Sequence, residues 1–317
     1  MKHNYSTHLF TLIMCLAFPT WILAQNECDV PDGSALLDVN NVSTLIYSGE
    51  ATWSGGQQSQ YIVPADNGVS PLYSGYFFIG GLTPGNQLLF ARGNDSPTSS
   101  DFYAGPLDPI SGEVIEGACI DFNEPIQVYE YQSLMHCAYF DCLSDPNCDI
   151  TEEFPFYITP PEILYYPAQL LIDNSTSYDL LPYLDNDDDG LYDPSSGDCP
   201  LFSSMIEDAD CEECDALRGH QAIITIGNDL AGDHLSSGGD HISMQIQNIN
   251  YSYSTSDILN DVAFLQKKIT YHGSASLTQA FMGFYMDYDL GNPQDDYIGH
   301  DIQRNLSYVY NSDSFDD

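Results

Sequence analysis

Basic residues are what this sequence has least of. Six Lys and Arg stand against 47 Asp and Glu, for a formal net charge of −41. That balance argues against nucleic acid as a partner, because gripping a phosphate backbone takes clustered Lys and Arg. It argues against adhesion to anionic lipid for the same reason. Tryptophan is scarce too: of Trp21 and Trp53, only Trp53 lies beyond the first 24 residues. After the N-terminus no apolar run is long enough to span a bilayer, so no membrane span is expected there. The signatures G-x-S-x-G, H-E-x-x-H, G-x-G-x-x-G and the P-loop are missing. Carboxylates are abundant, but nothing picks out two of them as a glycosidase pair. An enzyme is therefore the less favoured reading. Self-repulsion on this scale has to be offset by bound divalent cations or by a salty medium.

What is present begins with an export signal. Lys2 gives a small positive start, the apolar run Leu9–Ala24 is interrupted by Pro19 and Thr20, and Ala24 supplies a small residue before Gln25. Residues 1–24 are expected to be removed, leaving a secreted chain that is extracellular or on the outer cell surface. Of nine cysteines, Cys15 lies in the leader. The remaining eight are Cys28, Cys119, Cys137, Cys142, Cys148, Cys199, Cys211 and Cys214, an even set that points to disulfides. A zinc site at the CxxC pair Cys211 and Cys214, with His136 or His220, is the alternative, but no second CxxC accompanies it.

Short β-type runs between turns make up most of the rest. Strands are predicted at 60–63, 75–81, 87–91, 126–131, 221–227, 241–253, 262–272 and 280–288. Ile242, Met244 and Ile246 alternate with Ser243, Gln245 and Gln247, which predicts one buried and one wet face. The 23 Tyr and 15 Phe suit half-buried strands. Only "SDILNDV" reads as a helical turn. The expected fold class is all-β: an antiparallel β-sandwich type, one large or two packed domains, with little helix. The expected organisation is an N-terminal β region over 25–173, containing an irregular Cys-rich connection over 119–173. An Asp-rich loop follows over 174–200, then a C-terminal β region over 201–317.

The stretch "LDNDDDGLYDPSSGDCP", 184–200, carries the clearest chemistry. A calcium loop turns several hard oxygens onto one centre, and the twelve-position version uses positions 1, 3, 5, 7 and 9 with Gly at 6. Asp185, Asp187 and Asp189 take 1, 3 and 5, and Gly190 takes the turn. The Leu191 carbonyl takes 7 and Asp193 takes 9. Position 12 is Ser196, which cannot chelate through two oxygens, so Asp198, Asp188 or a distant acid has to complete the set. Four acids within five residues repel one another unless a cation joins them. A structural calcium ion of weak, extracellular-range affinity is expected, against the plainer reading of a solvated acidic turn.

A second acidic cluster, Asp287, Asp289, Asp295, Asp296 and Asp301, surrounds a Gly-Asn-Pro turn. It reads equally as a second cation site or as a polar hairpin tip with Arg304 as counter-charge. Lys267 and Lys268 share a strand and are predicted to face opposite sides, one of them neutralising an acid. His234 and His241 each follow an Asp, and ordinary turn histidines are the favoured reading over a metal pair.

The Asp-rich loop is similar to those of thrombospondin type 3 and dockerin-like modules. More broadly, "LLDVNNVSTLIYSGEATW", "YIVPADNGVSPLYSGYFFIGGL", "DFYAGPLDPISG", "SGGDHISMQIQ" and "FYMDYDLGNPQDDYIGHDIQRNLSYVYNSDSFD" resemble an N-terminal region of large secreted or cell-surface Bacteroidetes proteins. Those proteins leave by the type IX secretion system, and no catalytic set is defined for the region. The cysteines from Cys137 to Cys148 depart from the resemblance as an insertion. The far C-terminal sorting domain of such proteins is not in the sequence, so a longer protein is expected.

The resulting expectation is a non-catalytic surface module held by calcium and disulfides, structural or adhesive, with surface glycans or other cell-surface proteins as partners. A carbohydrate-binding or glycan-degrading sandwich and an accessory region of a secreted hydrolase are the alternatives.

Overall fold

The computed structural model describes residues 28–53, 60–66, 68, 70–94, 99–172, 176–206, 215–292 and 294–312. The leader at 1–24, Cys211 and Cys214 lie outside them. In chain order the strands are β1 Ser34–Leu37, β2 Ser43–Tyr47, β3 Ala51–Thr52, β4 Tyr61–Ile62, β5 Leu72–Leu82, β6 Leu88–Arg92 and β7 Tyr103–Ala104. A connecting region follows, with α1 Ala118–Asp121, β8 Ile126–Tyr129, α2 Glu130–Ser144, α3 Ile150–Glu153, α4 Pro161–Leu164, β9 Gln169–Ile172, β10 Thr176–Asp179, β11 Tyr183–Leu184 and β12 Cys199–Pro200. The last strands are β13 Gln221–Asn228, β14 Met244–Ser252, β15 Ala263–Tyr271, β16 Thr278–Tyr288, β17 Asp296–Asp301 and β18 Leu306–Asn311.

Two antiparallel sheets dominate, as the all-β reading expects. The first runs β1-β2-β3-β5-β16, with β4 bridging β2 and β5 and β6 beside β5. The second runs β15-β14-β13-β7, with β8 also on β13. Strands from both sides of Asn174 enter both sheets. β16 lies along β5 through Phe284↔Phe77 and Tyr285↔Tyr76, and β8 pairs with β13 through Val128↔Ala222.

Apolar side chains from the two sheets meet face to face. Phe77, Ile79 and Ala91 of the first pack with Met244 and Ile246 of the second and with Ile242 just before β14. A second patch joins Leu37 and Ile46 to Ile223. Each fully buried aliphatic or aromatic side chain of this kind contributes roughly 1.5–3 kcal/mol. Glycine makes room for the large rings: a Cβ on Gly283 would meet the Phe78 ring at 2.4 Å.

The wet face expected of β14 is not wet. Val128, Ala222, Ile224, Ile226 and Ile249 form a third cluster on the outer face of the second sheet, covered by Tyr166, Leu180, Leu181, Phe202 and Leu217. Gln247 is buried there and donates to the Leu180 carbonyl at 3.1 Å. β13 is buried along its whole length. The connection from 119 to 206 thus forms a third layer.

That connection is also where the structure corrects the sequence reading. The expected strand over 126–131 stops at Tyr129, and α2 begins at Glu130 and runs 15 residues through the segment expected to be irregular. Its Ser133, His136 and Cys142 are buried, while Tyr131, Leu134, Met135 and Leu143 are exposed. Disulfides fasten it instead of a continuous apolar stripe. Cys137 bonds Cys199, Cys142 bonds Cys148 just past the helix end, and Cys28–Cys119 ties the N-terminus to α1. No helix among the described residues is long and apolar enough to cross a membrane.

Candidate metal centre

The Asp-rich loop spans 185–198 and is closed at its base by the β11–β12 pair, Leu184↔Cys199 and Tyr183↔Pro200. Cys199 is buried and bonded to α2 through Cys137. His136 of α2, also buried, lies 3.0 Å from the Pro194 carbonyl and 2.7 Å from the Tyr157 hydroxyl. Burial pulls its pKa below the ordinary histidine value. Gln169 of β9 grips the loop's other side, donating to the Gly190 carbonyl at 3.0 Å and accepting from Tyr192 N at 3.1 Å. Tyr192 in turn donates its hydroxyl to the Ile163 carbonyl at 2.7 Å.

Inside this frame the chain folds on its own carboxylates. Asp185 accepts from Asp189 N at 3.2 Å and Gly190 N at 2.8 Å. Gly190 takes φ +78° with open space around it, the sharp turn that favours glycine. Asp189 accepts from Leu191 N at 2.7 Å. Asp193 caps the 3-10 turn Pro194–Ser196, accepting from Ser195 N at 2.8 Å, and those bonds to Ser195 hold its pKa below the usual carboxylate range.

The acids that converge are Asp185, Asp187 and Asp198, whose ligand oxygens all lie within 4.8 Å of one another. Asp189 and Asp193 do not join this group, and Leu191 is held through its N–H on Asp189. Asp198 therefore stands where the sequence pattern left position 12 unfilled. Its side chain is wholly buried and accepts from Asn186 N at 2.8 Å and Asp193 N at 2.7 Å. Burial pushes its pKa up, with Asp185 and Asp187 adding to the rise and the two backbone bonds opposing it. Two unit charges 4.8 Å apart repel by ~3.5 kcal/mol at an effective dielectric constant of 20, and by less where Asp187 reaches solvent. Among the described residues no Lys, Arg or His pairs with any acid of this loop. The donor set is hard oxygen on a flexible loop, the chemistry that suits calcium.

The second acidic cluster is arranged differently. Asp301 binds Arg304 and accepts from Gln303 N at 3.1 Å, while Asp287 lies on β16 opposite Ser74. Asp296 accepts from Leu290 N at 2.8 Å, and the Asp295 carbonyl accepts from Ser312 N at 2.8 Å. Asp289 donates its N–H to the Pro71 carbonyl at 3.2 Å. No three of these five carboxylates converge as the first three do.

The histidine pair was weighed in the sequence as ordinary turn histidines, while two features near it and beyond it, buried Asp229 and an exposed groove, escape sequence reasoning. His234 and His241 lie with ring centroids 4.7 Å apart, but their ring nitrogens face backbone carbonyls of Phe90, Asp229 and Gly232. Beside them the fully buried Asp229 accepts from Ile242 N at 2.5 Å and Met244 N at 2.6 Å. The other feature is an open groove of about 590 Å³ on the outer face of β6, β5 and β16, lined by Tyr76, Phe78, Phe90, Arg92 and Phe281. Period-two alternation puts aromatics on both faces of β5, so the sequence marked no particular face as exposed. No family model matches the chain, and no curated protein or solved structure matches it either.

Proposed function

We propose that this chain is a non-catalytic, secreted or cell-surface β-rich module, a structural or adhesive part of a larger surface protein, in which calcium closes the 185–198 loop. The observation that carries the reading is Asp198. A wholly buried carboxylate is brought against Asp185 and Asp187, and among the described residues no Lys, Arg or His pairs with it. An oxygen-seeking divalent ion offsets that repulsion and fastens the loop to α2 and β9. The three disulfides among the described residues suit an oxidising, extracellular setting.

Limited proteolysis tests this. Calcium is expected to protect 185–198 from cleavage, and EDTA to expose it; the same cleavage rate in both conditions contradicts the reading.

The groove favours one second reading, a glycan-binding surface. Phe78, Phe90 and Phe281 form an aromatic floor, and Arg92 stands at its side with its guanidinium 5.4 Å from the Tyr76 ring centre. Binding on a glycan array that is lost in Phe281→Ala supports it; no binding to any sugar sinks it.

A further inference from the structure

The core between the two sheets holds three groups that an apolar core does not call for. Asn248 of β14 lies directly opposite Lys267 of β15, and Thr225 of β13 lies opposite Asn248 on its other side. From the other sheet, Glu50 reaches in from the turn between β2 and β3. Glu50 and Asn248 are each 4 % exposed and Thr225 is 2 % exposed. Phe77 and Phe284 flank the ammonium, with ring centres 4.9 Å and 5.9 Å from Lys267 Nζ.

The contacts among the three form a closed ring. Lys267 Nζ lies 2.5 Å from Glu50 Oε2 and also touches Asn248 Oδ1. Asn248 Nδ2 donates to Glu50 Oε1, and to Thr225 Oγ1 at 2.8 Å. One carboxylate therefore touches both nitrogens of a potential exchange. Oε2 is on the amine that could attack, and Oε1 is on the amide nitrogen that would leave. A buried ion pair alone explains Lys267 and Glu50, at a desolvation cost. It does not explain why the asparagine amide is held between them with its carbonyl against the amine.

We propose that Lys267 and Asn248 join in a self-formed amide cross-link, with Glu50 carrying the protons. Glu50 Oε2 takes a proton from Lys267 Nζ, freeing the nitrogen lone pair. That pair bonds to Asn248 Cγ, one bond beyond the oxygen Nζ already touches, and the carbonyl π pair moves onto Oδ1. Glu50 relays the next proton from Nζ to Nδ2. The Cγ–Nδ2 bond then breaks as the carbonyl re-forms. One N–C bond is made and one is broken, neutral ammonia departs, and the other proton given up by the lysine stays on Glu50 as a carboxylic acid, so no oxidant, reductant or further reactant is needed. Amide exchange between free molecules is slow. Held groups with reacting atoms about 3–3.5 Å apart gain effective molarities on the order of 10⁵–10⁸ M, and a single turnover suffices. The product replaces two buried charges by a neutral amide that pins β14 to β15, a covalent brace suited to a chain that works outside the cell. It goes beyond the calcium reading and does not depend on it.

The test is mass spectrometry of the folded full chain. The wild type is expected to be one ammonia lighter than its sequence. A chymotryptic digest should give one branched peptide joining the Asn248 and Lys267 segments, which separates the link from ammonia lost at a terminal glutamine. Lys267→Arg and Glu50→Gln chains with a wild-type β-sheet circular dichroism spectrum should keep the full mass at this site. Separate Asn248 and Lys267 peptides from the folded wild type overturn the proposal, whether or not the variants fold. A branched peptide in Glu50→Gln overturns the role given to Glu50.

Discussion

Replacing Asp187 by Asn separates a calcium ligand from a structural acid more cleanly than any other change in the loop. Asp187 is exposed and accepts no hydrogen bond from the described residues, so its side chain supports nothing in the protein itself. Without calcium, Asp187→Asn should leave stability unchanged or raise it slightly, since one source of repulsion on Asp185 and Asp198 is gone. With calcium the ordering reverses. Calcium at a hundred times its dissociation constant stabilises the wild type by about 2.7 kcal/mol. If losing one charged ligand weakens binding about tenfold, the same calcium stabilises the variant by about 1.4 kcal/mol. The difference of about 1.3 kcal/mol corresponds to a melting temperature on the order of 3 °C lower for a chain of this size. The assay is differential scanning calorimetry of both proteins, each in EDTA and in excess calcium. A variant that melts lower than the wild type in EDTA, or that gains as much from calcium, refutes the reasoning.

Further expectations concern the supports of the loop and the core. Asp198→Ala removes the acceptor of two part-buried backbone N–H groups, so urea denaturation should show a loss of about 1–3 kcal/mol even without calcium. Cys137→Ala with Cys199→Ala opens a bridge between residues 62 apart, and the chain-entropy model gives a loss of about 4 kcal/mol by the same measurement. His234 should give stability a pH dependence. Burial pulls its pKa down, but the hydrogen bonds it donates to Asp229 and that carboxylate's charge reverse this and leave it above the ordinary histidine value. A raised folded-state value means the contribution is complete below about pH 6.5 and is lost as pH rises through the folded value. Wild-type stability relative to His234→Gln should therefore fall between pH 6 and pH 8, and a flat or rising difference contradicts the assignment.

Much of the sheet structure was legible because it rests on local alternation. Ile242, Met244 and Ile246 point into the sandwich as their spacing predicts, and "SDILNDV" makes the short 3-10 turn Ile258–Asp261. Helix α2 was not legible. Its apolar residues do not keep one face, and its order comes from bridges at Cys137 and Cys142, whose partners the sequence does not reveal. Within the loop, spacing alone treats Asp193 and Asp198 as comparable donors. The β11–β12 pairing separates them, burying Asp198 beside Asp185 while Asp193 turns to cap Pro194–Ser196. The predicted opposite orientation of the two lysines is found, but each neutralises an acid: Lys267 binds buried Glu50, and Lys268 lies 3.0 Å from exposed Asp215. Asn248 continues the buried series Ile242, Met244 and Ile246, but its chemistry carried no signal, since the sequence does not show which groups would meet it in the core. Its partners come from neighbouring strands, Thr225 and Lys267, and from Glu50, 198 residues away in sequence.

The most direct test of calcium as the tie that closes the loop is isothermal titration of calcium into the EDTA-stripped wild-type chain. Saturable binding at the Asp185, Asp187 and Asp198 site is expected, with a dissociation constant on the order of 10⁻⁴–10⁻³ M, the range of extracellular modules. That heat should be weakened in Asp187→Asn. Absence of saturable heat, or the same isotherm from wild type and variant, contradicts it.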